Sequence, residues 1–297
     1  MWRWFIIDKI SLIALDIGGT LLCDNNTISN KNLEAIRLAK QKGILIALAT
    51  AREYSSTRYI SKQINCDYGV FGNGGHLLDI NELKSLKYSI LQKEAVLEIY
   101  KYCKQNNLYI HLNQNLCEVS DQMDYFNLKH SLLNKTYPND SKSFCYLIND
   151  LETHIKENDI TKIIIVSDHE LDSTIKELHN ILKKYHLHIT EYNKNLFEHI
   201  LNKEINYIEI GATNDTKASG LVELTKLLGI PIEEVLVFGD GDNDLEMLSA
   251  FPNSVCMNNG SDKAKKLSRY ITKCDNNNSG VAEGIKYFID GGGKKCL

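Results

Sequence analysis

The sequence predicts an α/β protein: an open parallel sheet with helices between its strands, and a second α/β domain inserted into the first. Three observations predict it. Short apolar runs recur, each separated from the next by a segment of helical spacing. Two of these runs, LIAL from Leu12 and VLVF from Val235, lead directly into acidic, glycine-containing turns. Between them the rhythm breaks near Leu83 and a different alternation takes over before the first one resumes. Strand, helix and strand at this spacing imply right-handed crossovers and a parallel sheet.

Residues 11–17 read as a first strand, buried on both faces because the run is uniformly apolar. Ser29 caps a helix over 30–41, with Leu33 and Ile36 at helical spacing, and Gly43 ends it. Residues 44–49 form a second buried strand that delivers Thr50 at its carboxyl end. A helix over 52–63 and a third strand over 68–71 come next, then Asn73, Gly74 and Gly75. In the middle block a helix is expected over 94–105, short strands over 109–112 and 118–120, a strand over 162–167, an amphipathic helix over 171–185 and a strand over 187–192. Residues 121–150 are polar and carry no clear period. The strand 207–210 is expected to return the chain to the first domain, which gives a discontinuous core of 1–82 and 207–297 around an insert of 83–206. A helix from Lys217 to Leu228 stops at Gly229 and Pro231. Strands over 235–238 and 254–257 and a helix over 280–289 close the fold, and the tail GGGKKCL is expected to be mobile.

Composition narrows the function classes. The chain has 297 residues, 43% hydrophobic and 24% charged, with a formal net charge of −4, so no basic surplus points to nucleic acid. Eight cysteines occur without any CxxC pair, which favours buried or free thiols in a reducing cytosol over a disulfide framework or a zinc site. The apolar start is too short for a signal peptide and no run is long enough to span a bilayer. A cytoplasmic monomer without a membrane or nucleic-acid partner is the expectation.

The two acidic turns carry the chemistry. Asp16 ends the first strand and is followed by Gly18, Gly19 and Thr20. Asp240, Asp242, Asn243 and Asp244 come after the strand that begins at Val235. Open α/β sheets place ligands at the carboxyl ends of their strands, and two acidic strand ends in one sheet can meet at a divalent cation. Oxygen-only donors of this kind suit Mg²⁺. Each turn also has a plainer reading. DIGGT could be a structural corner. GDGDND could be a solvated or calcium-binding loop, although it lacks EF-hand spacing.

With Thr50 and Lys217 added, the sequence resembles the haloacid dehalogenase superfamily and, more narrowly, its Cof-type phosphatases. The matching stretches are DIGGTLL where that family has DxDGTLL, then ATAR, KASGL and GDGDNDLEML. FGNGGHLLD and SGVAEGIKYF resemble its loop before the cap and its terminal helix. The resemblance implies a Rossmann-like parallel-sheet core with an inserted α/β cap domain. It also implies a Mg²⁺-dependent phosphatase that acts on a small phosphorylated metabolite, such as a sugar phosphate, through an aspartyl-phosphate. Asp16 would attack phosphorus. Mg²⁺ would be held by Asp16, the Gly18 carbonyl and Asp240, with Asn243 or Asp244 adding a ligand or holding its waters. Thr50 and the nearby amides, including those of Gly19 and Ala51, would bind the phosphate, and Lys217 would balance charge. Asn73, Gly74 and Arg52 would be candidates for substrate contact, with His76 and His111 as weaker ones. The plainer readings are that Thr50 caps a helix, Lys217 is a solvated lysine, Asn73 makes a turn and Arg52 lies on the surface.

One position departs from the family pattern. Two residues after the nucleophile the family carries the aspartate that protonates the leaving group and later activates water; here it is Gly18. Glycine keeps the carbonyl and loses the acid, which is ordinarily worth roughly 10² to 10⁴ in rate. Cys23 and Asp24 are near in sequence, with nothing to mark either as a substitute. A slow or inactive natural member, an altered Asp→Gly position and a member with another acid are all compatible with this. Two other functions stand beside the phosphatase: a catalytically impaired phosphometabolite-binding or regulatory protein, and a sugar kinase of the ROK type whose phosphate loop DIGGT resembles. The second glycine-rich motif of such kinases is missing.

Overall fold

The computed structural model describes residues 9–114, 116–122, 145–193, 205–212 and 215–290. These divide into two compact units, the described residues of Met1–Ala51, Ile60–Leu86 and Thr216–Leu297 forming the first, and those of Arg52–Tyr59 and Lys87–Asp215 the second. The tail 291–297 lies outside the described residues.

In chain order the elements are β1 (Leu12–Leu15), α1 (Asn30–Gln41), β2 (Leu45–Ala49), α2 (Tyr54–Gln63), β3 (Tyr68–Phe71), β4 (His76–Asp79) and β5 (Lys84–Tyr88). Then come α3 (Lys93–Gln105), β6 (Tyr109–Gln114), β7 (Cys117–Ser120), β8 (Cys145–Leu147), α4 (Leu151–Glu157), β9 (Lys162–Ser167), α5 (Asp172–Lys184), β10 (Leu187–Asn193) and β11 (Asn206–Ala212). The chain ends with α6 (Lys217–Leu228), β12 (Val235–Gly239), α7 (Leu245–Ala250), β13 (Asn253–Cys256), α8 (Asp262–Leu267), β14 (Tyr270–Ile271) and α9 (Gly280–Ile289).

The first sheet has the order β14-β13-β12-β1-β2-β3-β4-β5. It is parallel from β14 through β3, and β4 pairs antiparallel with β3. β1 lies at its centre, and all its residues and all those of β12 are buried, as a sheet covered on both faces requires. On one face Leu12, Ala14 and Val237 join Leu221 and Leu224 of α6 in a single apolar cluster. On the other, Gly284 of α9 sits against the Phe238 ring.

Strand order reverses at β1, which has β12 on one side and β2 on the other. Register aligns Leu15 with both Phe238 and Leu48, so the three strands finish together. Asp16, Asp240 and Thr50, each just beyond one of these strands, therefore emerge at one end of the sheet. This is the switch point at which open α/β sheets hold ligands.

The caps read at Ser29 and Gly229 form as expected. Ser29 accepts a hydrogen bond from the Asn32 amide and starts α1. Thr216 and Ser219 form a reciprocal capping box at the start of α6, and Gly229 ends that helix in the left-handed conformation.

The second unit carries a mixed sheet of order β10-β11-β9-β6-β7-β8. Here the sequence reading needs correction. The strand read as 207–210 and assigned to the core is β11, and it pairs antiparallel with β9 and β10 in this second sheet. Its Ile208 and Ile210 are buried with Ile163 and Ile165 of β9, so partner strands decide its sheet and its own composition does not. The chain re-enters the first unit at Thr216. The hairpin β4–β5 carries the first unit on to Leu86, and the start of α2 groups with the second unit.

Candidate active site

β1 ends in a buried carboxylate, and the chain then turns sharply through Ile17–Leu21. Gly19 makes this turn possible: its φ is +68°, and a Cβ there would run into the Asp240 carboxylate. Gly18 is different. Its φ of −78° and ψ of 129° suit any residue, and a Cβ built on it meets nothing within 4 Å.

Five side chains converge at this end of the sheet. Lys217, the first residue of α6, is almost wholly buried, and its Nζ stands 2.6 Å from Asp16 Oδ1 and 2.7 Å from Asp244 Oδ1. Asp244 Oδ2 accepts from the backbone N–H groups of Asp240 and Gly241, both at 3.0 Å, which folds the acidic turn back on itself. Thr20 donates to Asp240 Oδ1 at 2.8 Å and ties the first turn to the second. The ammonium between two carboxylates is held in its charged form, its pKa raised further by Asp16 and Asp244 against the cost of burial. Burial pushes the Asp16 carboxyl up to about 7 although Lys217 pulls the other way, and burial also raises Asp240.

Asp16, Asp240 and Asp244 each offer a carboxylate oxygen, and these oxygens lie within 4.8 Å of one another. Against three carboxylates the group holds one lysine. Oxygen-only donors with negative charge in excess fit a hard divalent cation. Asn243 is exposed and its neighbour Asp244 points inward, so Asp244 is the member of that pair within the carboxylate group.

Thr50 is buried at the end of β2. Its N–H donates to the Val70 carbonyl at 2.9 Å, and its own carbonyl accepts from the Asn73 N–H at 3.1 Å. The loop after β3 is thereby fixed beside Thr50. Asn73 takes a φ of 56°, a conformation asparagine tolerates. Gly74 makes room for α6, since a Cβ there would collide with the Thr216 carbonyl. Ala51 follows Thr50 and is half-buried. Arg52 is exposed and belongs to the second unit. His76 and His111 are both buried, in β4 and β6.

Two contributors were given no role from the sequence. Thr20 was legible as part of DIGGT, and its hydroxyl at a strand end was the signal. Asn259, in the turn after β13, donates to the Gly19 carbonyl at 2.7 Å and accepts from the Asn276 N–H at 3.0 Å. Only its place beyond the next parallel strand end pointed toward the site.

Known proteins are similar to this chain along nearly its whole length. The family model for haloacid dehalogenase-like hydrolases matches residues 13–285. The 5-amino-6-(5-phospho-D-ribitylamino)uracil phosphatase YitU of Bacillus subtilis is 26% identical over 281 residues, which is 95% of this chain and 98% of that protein. The phosphatase YwpJ of the same organism is 25% identical over 297 residues, 94% of this chain and 100% of that protein. A crystal structure of a haloacid dehalogenase-like hydrolase from Bacteroides thetaiotaomicron superposes with a TM-score of 0.79 at 26% identity, over 95% of this chain and 100% of that one. A match of this extent means that the chain belongs to the haloacid dehalogenase-like hydrolases.

Proposed function

We propose that this chain is a Mg²⁺-dependent phosphatase of a small phosphorylated metabolite that works through an aspartyl-phosphate on Asp16. One observation carries the reading: the buried Asp16–Lys217–Asp244 bridge, with Asp240 beside it, at the switch point of the sheet. The phosphatase names of relatives that match along nearly their whole length support it.

In this reading Lys217 holds Asp16 Oδ1 and leaves the other carboxylate oxygen to attack phosphorus. Lys217 also offsets the charge that develops on the phosphoryl oxygens. Thr50 and the amides of Gly19 and Ala51 position the phosphate. Asp16, Asp240 and the Gly18 carbonyl would hold Mg²⁺, with Asp244 or Asn243 supporting it. Bound there, the ion would neutralise phosphate charge and shield the approaching carboxylate. Asn73, Gly74 and Arg52 are assigned to substrate contact, and the second unit acts as the cap that selects the substrate. We place the enzyme in the cytoplasm as a monomer. Among the described residues no helix is long and apolar enough to cross a membrane.

Gly18 favours a second reading, a protein that binds a phosphometabolite with little turnover. Hydrolysis of p-nitrophenyl phosphate, with and without Mg²⁺, tests the pair. Mg²⁺-dependent release that Asp16→Asn abolishes is the expected result. Phosphate-ester binding by calorimetry with no release, even in Gly18→Asp, would overturn the enzymatic reading.

A further inference from the structure

We propose that Asp16 takes its phosphoryl group from activated donors, acyl phosphates in particular, and that the aspartyl-phosphate is the long-lived state of this chain. The inference rests on the reading of Asp16 as the nucleophile and deepens it by naming the donor class.

Gly18 is exposed and has no side chain, and the space a Cβ would enter is open. The carboxylates of the first unit that could stand in for an acid are held elsewhere. Asp244 is tied to Lys217 and to two amides. Asp240 is tied to Thr20. Asp242 faces Lys263 at 3.0 Å. Both oxygens of Asp24 accept from the side-chain amides of Asn276 and Asn277 at 2.9 Å, and these hydrogen bonds hold its carboxyl below the usual range, as an anion. Among the described residues of this unit, none of these carboxylates is left to carry a proton to Gly18.

The chemistry then sorts the donors. An alkyl phosphate leaves as an alkoxide and needs a proton as its bond breaks. An acyl phosphate does not: its leaving group is a carboxylate, whose acid has a pKa of about 4. An Asp16 oxygen forms a bond to phosphorus, the bond from phosphorus to the acyl oxygen breaks, and the electron pair departs on the carboxylate. No proton moves. The return step is different, because water must lose a proton as it attacks the aspartyl-phosphate, and the residue that would take that proton in the family pattern is glycine here. Loading proceeds and unloading is slow, by roughly 10² to 10⁴ relative to a chain with the acid in place.

The test uses the full chain, MgCl₂ and two probes, acetyl phosphate and glycerol 3-phosphate. Intact-mass spectrometry reads the adduct and a phosphate assay reads turnover. We expect one phosphoryl group from acetyl phosphate that persists after the donor is removed, none from glycerol 3-phosphate, and no adduct in Asp16→Asn. Borohydride reduction followed by peptide mapping locates the phosphorylated residue independently of that variant. Gly18→Asp should release phosphate from both probes without accumulating adduct. If the unmodified chain releases phosphate from glycerol 3-phosphate as fast as Gly18→Asp does, the donor restriction is overturned while the phosphatase reading stands. If neither form gains an adduct or releases phosphate from either probe, the nucleophile assignment itself falls, and this inference with it.

Discussion

Each unit buries a charged network, and the two differ in where the charges sit. In the first unit Asp16 and Asp240 lie just beyond strand ends, where the chain enters a turn. In the second unit the charges sit within strands, apart from Glu53 just before α2. Lys162 of β9 pairs with Glu209 of β11 at 2.8 Å and lies 3.7 Å from Glu53. Ser55 donates to Glu118 of β7 at 2.7 Å, and His111 of β6 lies 3.6 Å from the same carboxylate. The strands that carry them are hydrogen-bonded on both sides, so their backbone groups are already engaged. Burial is common to both networks; the chemistry each can present is not. A strand end offers a ligand carboxylates, amides and carbonyls together, whereas the face of a strand offers side chains alone.

The two lysines separate the networks most directly. Lys217→Met leaves Asp16 and Asp244 buried without their cation, and the expected loss is about 3–5 kcal/mol in urea unfolding together with all phosphoryl transfer. Lys162→Met should cost a similar stability, about 3 kcal/mol, while the Asp16 adduct still forms. Loss of the adduct in Lys162→Met would erase the functional distinction between the networks.

A pH test comes next in size. Burial lowers the pKa of His76 from its ordinary 6.5 to about 4, so the folded state resists the proton that the unfolded state accepts. Its contribution is present above pH 6.5 and is lost as pH falls toward 4, worth up to about 3 kcal/mol. His76→Gln should flatten that acid limb of the urea midpoint against pH. An unchanged limb would mean that other groups set it.

The two adjacent glycines give the smallest effects and the sharpest contrast. Gly19→Ala forces a side chain into a positive φ and against Asp240, so a loss of about 2 kcal/mol and weaker Mg²⁺ binding are expected. Gly18→Ala has an ordinary φ and open space, so its effect should stay within about 0.5 kcal/mol. Equal costs at the two positions would contradict the geometry of the turn.

Much of the first unit was legible because its signals are local. Uniformly apolar runs marked β1, β2 and β12, Ser29 and Gly229 marked helix ends, and carboxylates followed the buried strands. Other elements had no such signal. β4 lay in a stretch read as a loop and β5 was given no element, because HLLD and KSLKY are short and neither clearly alternating nor uniformly apolar. The charged network of the second unit was unforeseen because its members come from five separate segments, each unremarkable alone.

By itself, then, the sequence determined the strands that lead into the two acidic turns, the turns themselves, and the missing side chain at position 18, since these depend on neighbours along the chain. Tertiary structure decided which sheet claims β11, that Lys217 lies between Asp16 and Asp244, and that Gly19, unlike Gly18, has no room for a side chain. The reason is physical: a strand's partners and a buried ion's surroundings are set by residues more than two hundred positions away, and one stretch of sequence carries no record of them.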